Sequence, residues 1–377
     1  MHFEIYIFAI VIILYGIFTI LSVVGFNKLR SDISVNEINR NADFISIVLS
    51  ARNEATTIEL CLQELIKQQY PINQFEIILI DDASEDDTYI LANHVLEKSK
   101  ISYKLIKEFV HQGKKKNISK AISISKGSVI ITTDADVIFR SDKWLSTISN
   151  YFVIHKPEML IMPIDFEMDT KLLSIFQIIE NLALTTITAG YTGMQLPFMC
   201  NGANLAFKKD AYEKVNGYQS HIHISSGEDV LLLEDIKKLY PTGIHYLLSK
   251  TLIIKTKTQK SLKSFFNQRL RWAYKARYNP NALNIASGFI IIMANLLIPA
   301  FLLALIVQSV IIPYLSIFVI SKCVFDFLLL FLASNYLGQR KYLLLIIPFQ
   351  CIYWVYALII GICSFFVKPK WKDIKIN

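Results

Sequence analysis

With 377 residues, 53% of them hydrophobic and 19% charged, the chain has room for one large domain plus several membrane spans and is too apolar for an ordinary soluble protein. Its net charge of +8 is local, because eight basic residues and no acidic one fall between Lys255 and Arg277. A basic segment leading into an apolar run sits on anionic headgroups, which implies membrane lipids as partners and excludes nucleic acid.

The first uncharged apolar run, residues 5–26, is long enough to cross a ~30 Å hydrocarbon core. It is also too long for a secretory signal, so residues 1–30 read as a retained transmembrane anchor. Lys28 and Arg30 follow it, and the positive-inside rule then places residues 31–280 in the cytoplasm. FISIVLSA (44–51) is a strand-like run, followed by a helical pattern from 55 to 68 that ends at Tyr70-Pro71. FEIILIDD (75–82) reads as a buried strand, a helix starts near 86 with Ser84 or Glu85-Asp86 as its cap, and a strand covers 101–107. GSVIITTDAD (127–136) supplies another strand. This alternation predicts an α/β fold with a doubly wound, mostly parallel sheet, in which ligands bind beyond the carboxyl ends of the strands.

Residues 181–207 carry no charge but are broken by glycines and a proline, so they read as a helix plus an active-site loop rather than a span. The cytoplasmic domain extends over 44–256, and a basic interfacial helix over 257–280. Residues 286–367 hold about three C-terminal transmembrane helices, two of them in 286–333 and one in 342–367. Three such spans leave Lys368, Lys370, Lys372 and Lys375 outside, against the same charge rule, so either one C-terminal element is re-entrant or the rule is broken here. Five cysteines without a CxxC pair suggest neither a disulfide framework nor a zinc site.

Two acidic clusters close predicted strands, Asp81-Asp82 and Asp134-Ala135-Asp136. Crowded carboxylates repel, and a hard divalent cation with few protein ligands would offset that cost beside a diphosphate. Helix capping accounts for Ser84, Asp86 or Ser141, but not for Asp134 and Asp136 ahead of Val-Ile-Phe. Gly227-Glu228-Asp229 enters the helical run DVLLLEDIKKL, where a carboxylate is stabilised by the helix dipole or can serve as a general base. In Gln268-Arg269-Leu270-Arg271-Trp272, the residues Gln268, Arg271 and Trp272 share one helical face. Such a face either grips a diphosphate and stacks on a sugar ring or anchors an interfacial helix. Lys322 and Asp326, at i, i+4 spacing within a span, read as an intrahelical ion pair, with a transport role as the rival reading.

In this order the motifs resemble the glycosyltransferase family 2 membrane synthases, the group that includes cellulose, hyaluronan, chitin and poly-N-acetylglucosamine synthases and ceramide glucosyltransferase. SARNEA (50–55) looks like the family's first nucleotide-binding turn, DDASEDDT (81–88) its uridine-contacting segment, TDAD (133–136) its metal-binding DxD, GED (227–229) its base-bearing motif and QRLRW (268–272) its QxxRW. GKKKN (113–117) and NGANLAF (201–207) stand where that family has a basic segment and an acceptor-side loop. The resemblance implies a GT-A fold, a UDP-sugar donor, Mg2+ or Mn2+, and inversion at the anomeric carbon. Residue by residue it implies Asp229 as base and Asp134 and Asp136 at the metal. Ala51, Arg52, Asn53, Glu54, Asp81, Asp82, Lys114, Asp134, Gln268 and Arg271 fall to the donor, and Asn201, Glu228 and Trp272 to the acceptor.

The implied protein lies in the plasma (inner) membrane with its catalytic domain in the cytoplasm, where nucleotide-sugars are made. It adds sugar to a membrane-associated polysaccharide, with single transfer to a lipid acceptor as the runner-up. Partner proteins for export or assembly are a further expectation, and a catalytically inactive membrane scaffold is the rival of another class. Two departures stand out. Gly227 replaces the threonine that many synthases carry there, and the C-terminal spans are few for a polymer channel built from one copy.

Overall fold

The structure is a computed structural model that describes residues 3–29, 43–221, 224, 227–276, 281–367, 370–371 and 374–375. Arg30, Arg277, Lys368 and Lys372, on which parts of the charge argument rest, lie outside the described residues. In chain order α1 (Phe3–Lys28) precedes β1 (Ile45–Ala51), α2 (Ile58–Ile66), β2 (Phe75–Asp82), α3 (Thr88–Glu97) and β3 (Ser102–Glu108). Next come α4 (Lys114–Ser123), β4 (Val129–Thr133), β5 (Ile138–Phe139), α5 (Trp144–His155), β6 (Met159–Ile161) and β7 (Ile164–Phe166). After α6 (Leu172–Gly193) follow β8 (Asn204–Lys208), α7 (Lys209–Lys214), α8 (Glu228–Leu239), β9 (Ile244–Tyr246) and β10 (Ile254–Thr256). The chain closes with α9 (Leu262–Ala276), α10 (Ala282–Ile306), α11 (Ile312–Leu337) and α12 (Ile346–Phe366).

The elements divide into two compact units. One consists of residues 29–167 and 199–257, and the other of 1–28, 168–198 and 258–377. The expected 44–256 domain is therefore interrupted, because α6 buries its apolar surface against α1 and α11 and groups with the terminal helices. The helix of the basic segment, α9, belongs to that second group as well.

The first unit is built on a seven-stranded sheet in the order β3-β2-β1-β4-β8-β6-β9. Strands β3, β2, β1 and β4 are mutually parallel, and β8 runs antiparallel to both β4 and β6. Helices cover both faces of a parallel sheet, which is why β1 and β2 read as unbroken apolar runs and are buried almost throughout. Glu76 is fully buried within β2, where its Oε1 accepts hydrogen bonds from the Ser46 hydroxyl at 2.7 Å and the Lys126 N–H at 2.6 Å. A second sheet, β5-β10-β7, lies beside the first in the same unit.

Two boundaries differ from the sequence reading. Strand β4 stops at Thr133, so Asp134-Ala135-Asp136 forms the turn beyond the strand instead of its end. Helix α2 starts at Ile58 rather than near residue 55, after a turn at 55–57, and the N–H groups of Asn53, Glu54 and Ala55 ahead of it are bonded to the side chains of Ser84, Thr88 and Asp86. None of the expected caps of α3 is its N-cap, which is Asp87 without a side-chain cap bond; Asp86, one residue earlier, accepts from the Thr88 N–H at 3.1 Å, and the Ser84 hydroxyl donates to Asp81.

Among the described residues of the second unit five helices are long and apolar enough to cross a membrane: α1, α6, α10, α11 and the segment Arg340–Phe366 that contains α12. Helix α6 is set apart by its connections. The segments before and after it supply β6 and β8, which pair in one sheet. Backbones of α1 and α6 touch, since a Cβ on Gly190 would lie 2.0 Å from the Ser22 carbonyl oxygen and one on Gly25 1.8 Å from that of Gly190. Lys322 and Asp326 form the expected ion pair at 2.6 Å, and the network extends to Gln350 on α12 and Tyr15 on α1.

Candidate active site

The carboxyl ends of β1, β2, β3 and β4 bring four loops to one edge of the sheet, with Ala51 in register with Asp81 and Asp82 with Glu108. Strand β8 begins at this edge, because Asn204 pairs with Thr133. That register carries the loop 199–203 to the turn holding Asp134 and Asp136. The Thr132 hydroxyl ties it there by donating to the Gly202 carbonyl at 2.8 Å.

The loops after β1 and β2 are laced together. Arg52 donates to the carbonyls of Asp82 (2.8 Å) and Ala83 (3.1 Å) and meets Glu85 at 3.2 Å. Asn53, in the left-handed region at φ 53°, accepts from the Glu85 N–H at 2.9 Å. The carboxylates of Asp81 and Asp82 are fully buried. Asp82 accepts from the N–H groups of Gln112 (2.8 Å) and Gly113 (3.1 Å) and lies 2.7 Å from the His111 ring, while Asp81 accepts from Ser84. Burial pushes the Asp81 carboxyl above its usual range, against the pull of Ser84. A cleft of about 380 Å³ opens beside these loops, lined by Arg52, Ser84, Glu85, Lys107, Phe109 and His111 among others. The sequence reading missed Lys107, Phe109 and His111. The same strand-end rule that singled out Asp81 and Asp134 applies to the end of β3 and would have found them.

Lys114 is the hub of the second half of the site. It opens α4 after Gly113, whose φ of +89° favours glycine, and its Nζ lies 2.5 Å from Asp134 Oδ1 and 3.6 Å from Glu228 Oε1. Burial of the ammonium works against its charge, but Asp134, Glu228 and Asp229 outweigh it and hold the pKa above the ordinary lysine value. Asp229 lies in the first turn of α8, 6% exposed, and accepts from the Gly202 N–H at 3.1 Å through Oδ2. No side chain caps α8, whose N-cap is Gly227 in the left-handed region. Lys114, Thr132, Gly202, Tyr218, Glu228 and Asp229 line a cavity of about 10 Å³, the size of one water. Asn201 sits beside it in the loop and accepts from the Ala203 N–H at 3.0 Å.

Asp136 is pushed up to about 7, first by burial and then by the charges of Asp134 and Glu54. Such a site takes up positive charge, as a proton or as a cation; Lys114, paired with Asp134, pulls the Asp136 pKa down but does not outweigh burial and the neighbouring carboxylates. Among the described residues no group of three or more His, Cys, Asp or Glu side chains is arranged to hold a metal. The residues fit an ion that keeps most of its coordination for a diphosphate and water. Cys61 lies behind the turn with its thiol donating to the Asp134 carbonyl at 3.7 Å, and burial raises its pKa too far for it to be a thiolate ligand.

Gln268, Arg271 and Trp272 lie on α9 in the other unit. Arg269, given no role by the sequence reading, is the buried arginine of QRLRW at 2% exposure.

Residues 46–215 match the family model "Glycosyl transferase family 2". The chain is 23% identical over 257 residues to a probable glycosyltransferase, YdaM, of Bacillus subtilis, covering 62% of this chain and 55% of that one. It is 31% identical over 113 residues to a beta-monoglucosyldiacylglycerol synthase of a Nostoc species, covering 30% of this chain and 24% of the relative. The chain thus spans about half of the first relative's length and a quarter of the second's. Its fold is similar to that of mannosyltransferase PcManGT from Pyrobaculum calidifontis, solved with GDP-Man and Mn2+, at 15% identity and a TM-score of 0.56 over 95% of this chain and 99% of that one. Residues 46–215 are therefore similar to glycosyl transferase family 2, and the fold is GT-A-like α/β.

Proposed function

We propose that the protein is an inverting glycosyltransferase that moves a hexose or N-acetylhexosamine from a UDP-sugar to a hydroxyl of a membrane-associated acceptor. The observation that carries this reading is the convergence on Lys114, whose ammonium faces both Asp134 and Glu228 while Gly202 holds Asp229 beside it. Four motifs far apart in sequence thereby share one pocket of opposed charges.

Asp229 is the base. It accepts the acceptor hydroxyl's proton as that oxygen forms its bond to the anomeric carbon, and the bond from that carbon to the diphosphate breaks on the opposite face, its electrons leaving with UDP. Asn201 and Glu228 orient the acceptor, with Trp272 offering a face for its sugar. Ala51 to Glu54, Asp81 and Asp82 shape the nucleotide site, partly by fixing backbone groups through the bonds described above. Lys114, Gln268 and Arg271 serve the diphosphate. A divalent cation, Mg2+ or Mn2+, held by Asp134 and Asp136 would stabilise the charge that builds on the leaving diphosphate. Apolar helices of spanning length support a membrane location, with the catalytic domain in the cytoplasm and a plasma (inner) membrane as its site.

QRLRW supports a glycan acceptor extended repeatedly. A lipid acceptor is the second reading, favoured by the relative named as a beta-monoglucosyldiacylglycerol synthase. The test is a panel of UDP- and GDP-sugars incubated with the purified protein in lipid, following nucleotide release and product. Release from no donor defeats the reading, release from GDP-sugars alone defeats the UDP assignment, and product made only as solvent-extractable monoglycosylated lipid defeats repeated extension.

A further inference from the structure

Helix α9 carries two arginines in QRLRW, and the buried one is Arg269. It lies in a node with α6 and α12 inside the second unit. Glu180, 7% exposed on α6, accepts on Oε2 from both Arg269 Nε (2.7 Å) and Nη2, and on Oε1 from the Tyr356 hydroxyl of α12 at 2.6 Å. The third guanidinium nitrogen, Nη1, donates to Gln268 Oε1. The guanidinium carbon lies over the rings of Phe265 (4.7 Å) and Trp272 (4.2 Å), at i−4 and i+3 on the same helix. One buried carboxylate thereby fixes a cation that touches two of the three motif side chains, and Tyr356 fixes the carboxylate.

We propose that Glu180 and Arg269 are positioning residues that set the side chains of Gln268 and Trp272 for sugar transfer; this rests on the transferase reading above. Arginine suits the task for a geometric reason. Its planar fork satisfies Glu180 and Gln268 at once while presenting a face to each ring, and a lysine ammonium has neither fork nor face. The pair is buried, so its charges are not spent on solvent, and its hydrogen bonds to Glu180 and Gln268 together with the two rings leave the guanidinium one orientation.

The test uses the full chain in lipid. Arg269→Lys keeps a cation opposite Glu180 and is expected to lower kcat/KM for transfer by about tenfold to a hundredfold, the scale set by displacing a positioned group by roughly 1 Å. Glu180→Ala is expected to do the same and, in hydrogen exchange, to speed the amides of 262–276 while leaving those of the sheet and of α10 unchanged. Glu180→Gln retains an acceptor for the fork and is expected to recover activity to within about fivefold of wild type. Wild-type transfer by Arg269→Lys overturns the proposal, as does a Glu180→Gln no better than Glu180→Ala, or exchange that rises uniformly across the chain in Glu180→Ala. Should the wild-type protein release nucleotide from no donor, the transferase reading fails, and the exchange pattern still judges whether Glu180 holds α9.

Discussion

Replacing Asp229 by Asn separates chemistry from folding. The carboxylate accepts two backbone hydrogen bonds, from Gly202 N–H at 3.1 Å and from its own neighbour Val230 N–H at 2.8 Å. Asparagine has the same shape and one carbonyl oxygen, so it keeps one of these bonds and loses the other, costing about 1–2 kcal/mol. A domain with roughly 5–15 kcal/mol of stability stays folded after such a loss. Catalysis suffers far more, because an amide cannot take up the acceptor's proton at neutral pH. General-base assistance is worth about 10²–10⁴-fold, or roughly 3–5 kcal/mol in the barrier. The expected result is UDP release in lipid reduced by at least about a hundredfold, with UDP affinity by calorimetry within about threefold of wild type. Turnover of Asp229→Asn at the wild-type rate refutes the assignment. Loss of UDP binding in parallel with turnover would show instead that the residue builds the donor site.

The raised pKa of Asp136 gives a pH dependence with a definite sign. The folded chain holds this proton up to about pH 7 while the unfolded chain releases it near 4, so metal-free stability falls as pH rises through that window. Thermal unfolding in chelator is expected to show this fall, Asp136→Asn to flatten it, and Mn2+ to raise the transition more at pH 7.5 than at pH 5; a slope unchanged in Asp136→Asn is the adverse result. Gly190→Ala places a methyl 2.0 Å from the Ser22 carbonyl oxygen, forcing α1 and α6 apart at a cost of about 1–3 kcal/mol or more. Its detergent-solubilised melting point is expected to drop by several degrees, and an unchanged value would show that the helices can separate freely. Trp272→Ala is expected to shorten the products of a repeatedly extending enzyme before abolishing them, so chains of full length at reduced yield would remove Trp272 from the acceptor.

The parallel core was the most legible part of the sequence. FEIILIDD is an interior strand over the predicted residues, 75–82, because both of its faces are covered and nothing polar interrupts it except Glu76, which finds its partners inside. Boundaries failed where backbone groups were needed elsewhere. Helix α2 follows a turn at 55–57, and the N–H groups of Asn53, Glu54 and Ala55 hold the neighbouring loop. Strands of three residues, such as β6, β7 and β9, are too short for any periodic signal and exist only because the sheet already present offers them partners. On α9, helical spacing grouped Gln268, Arg271 and Trp272 correctly on one face. It could not show that Arg269 turns inward, because its counter-charge Glu180 is 89 residues away along the chain.

Helix α6 makes the birth of this protein a contest between two compartments. It is the least apolar of the five helices able to span a bilayer, yet still apolar enough to be read as a span when it emerges from the ribosome. Insertion at that moment would carry the next strand, β8, across the membrane and away from β4 and β6, between which it must pair. The five strands of this sheet made before α6 would then be cut off from β8 and β9. The correct outcome requires α6 to be held back until residues 204–208 have been made and captured by the sheet. A mutation that makes α6 more greasy would therefore harm the protein without touching its candidate active site, by winning the wrong race.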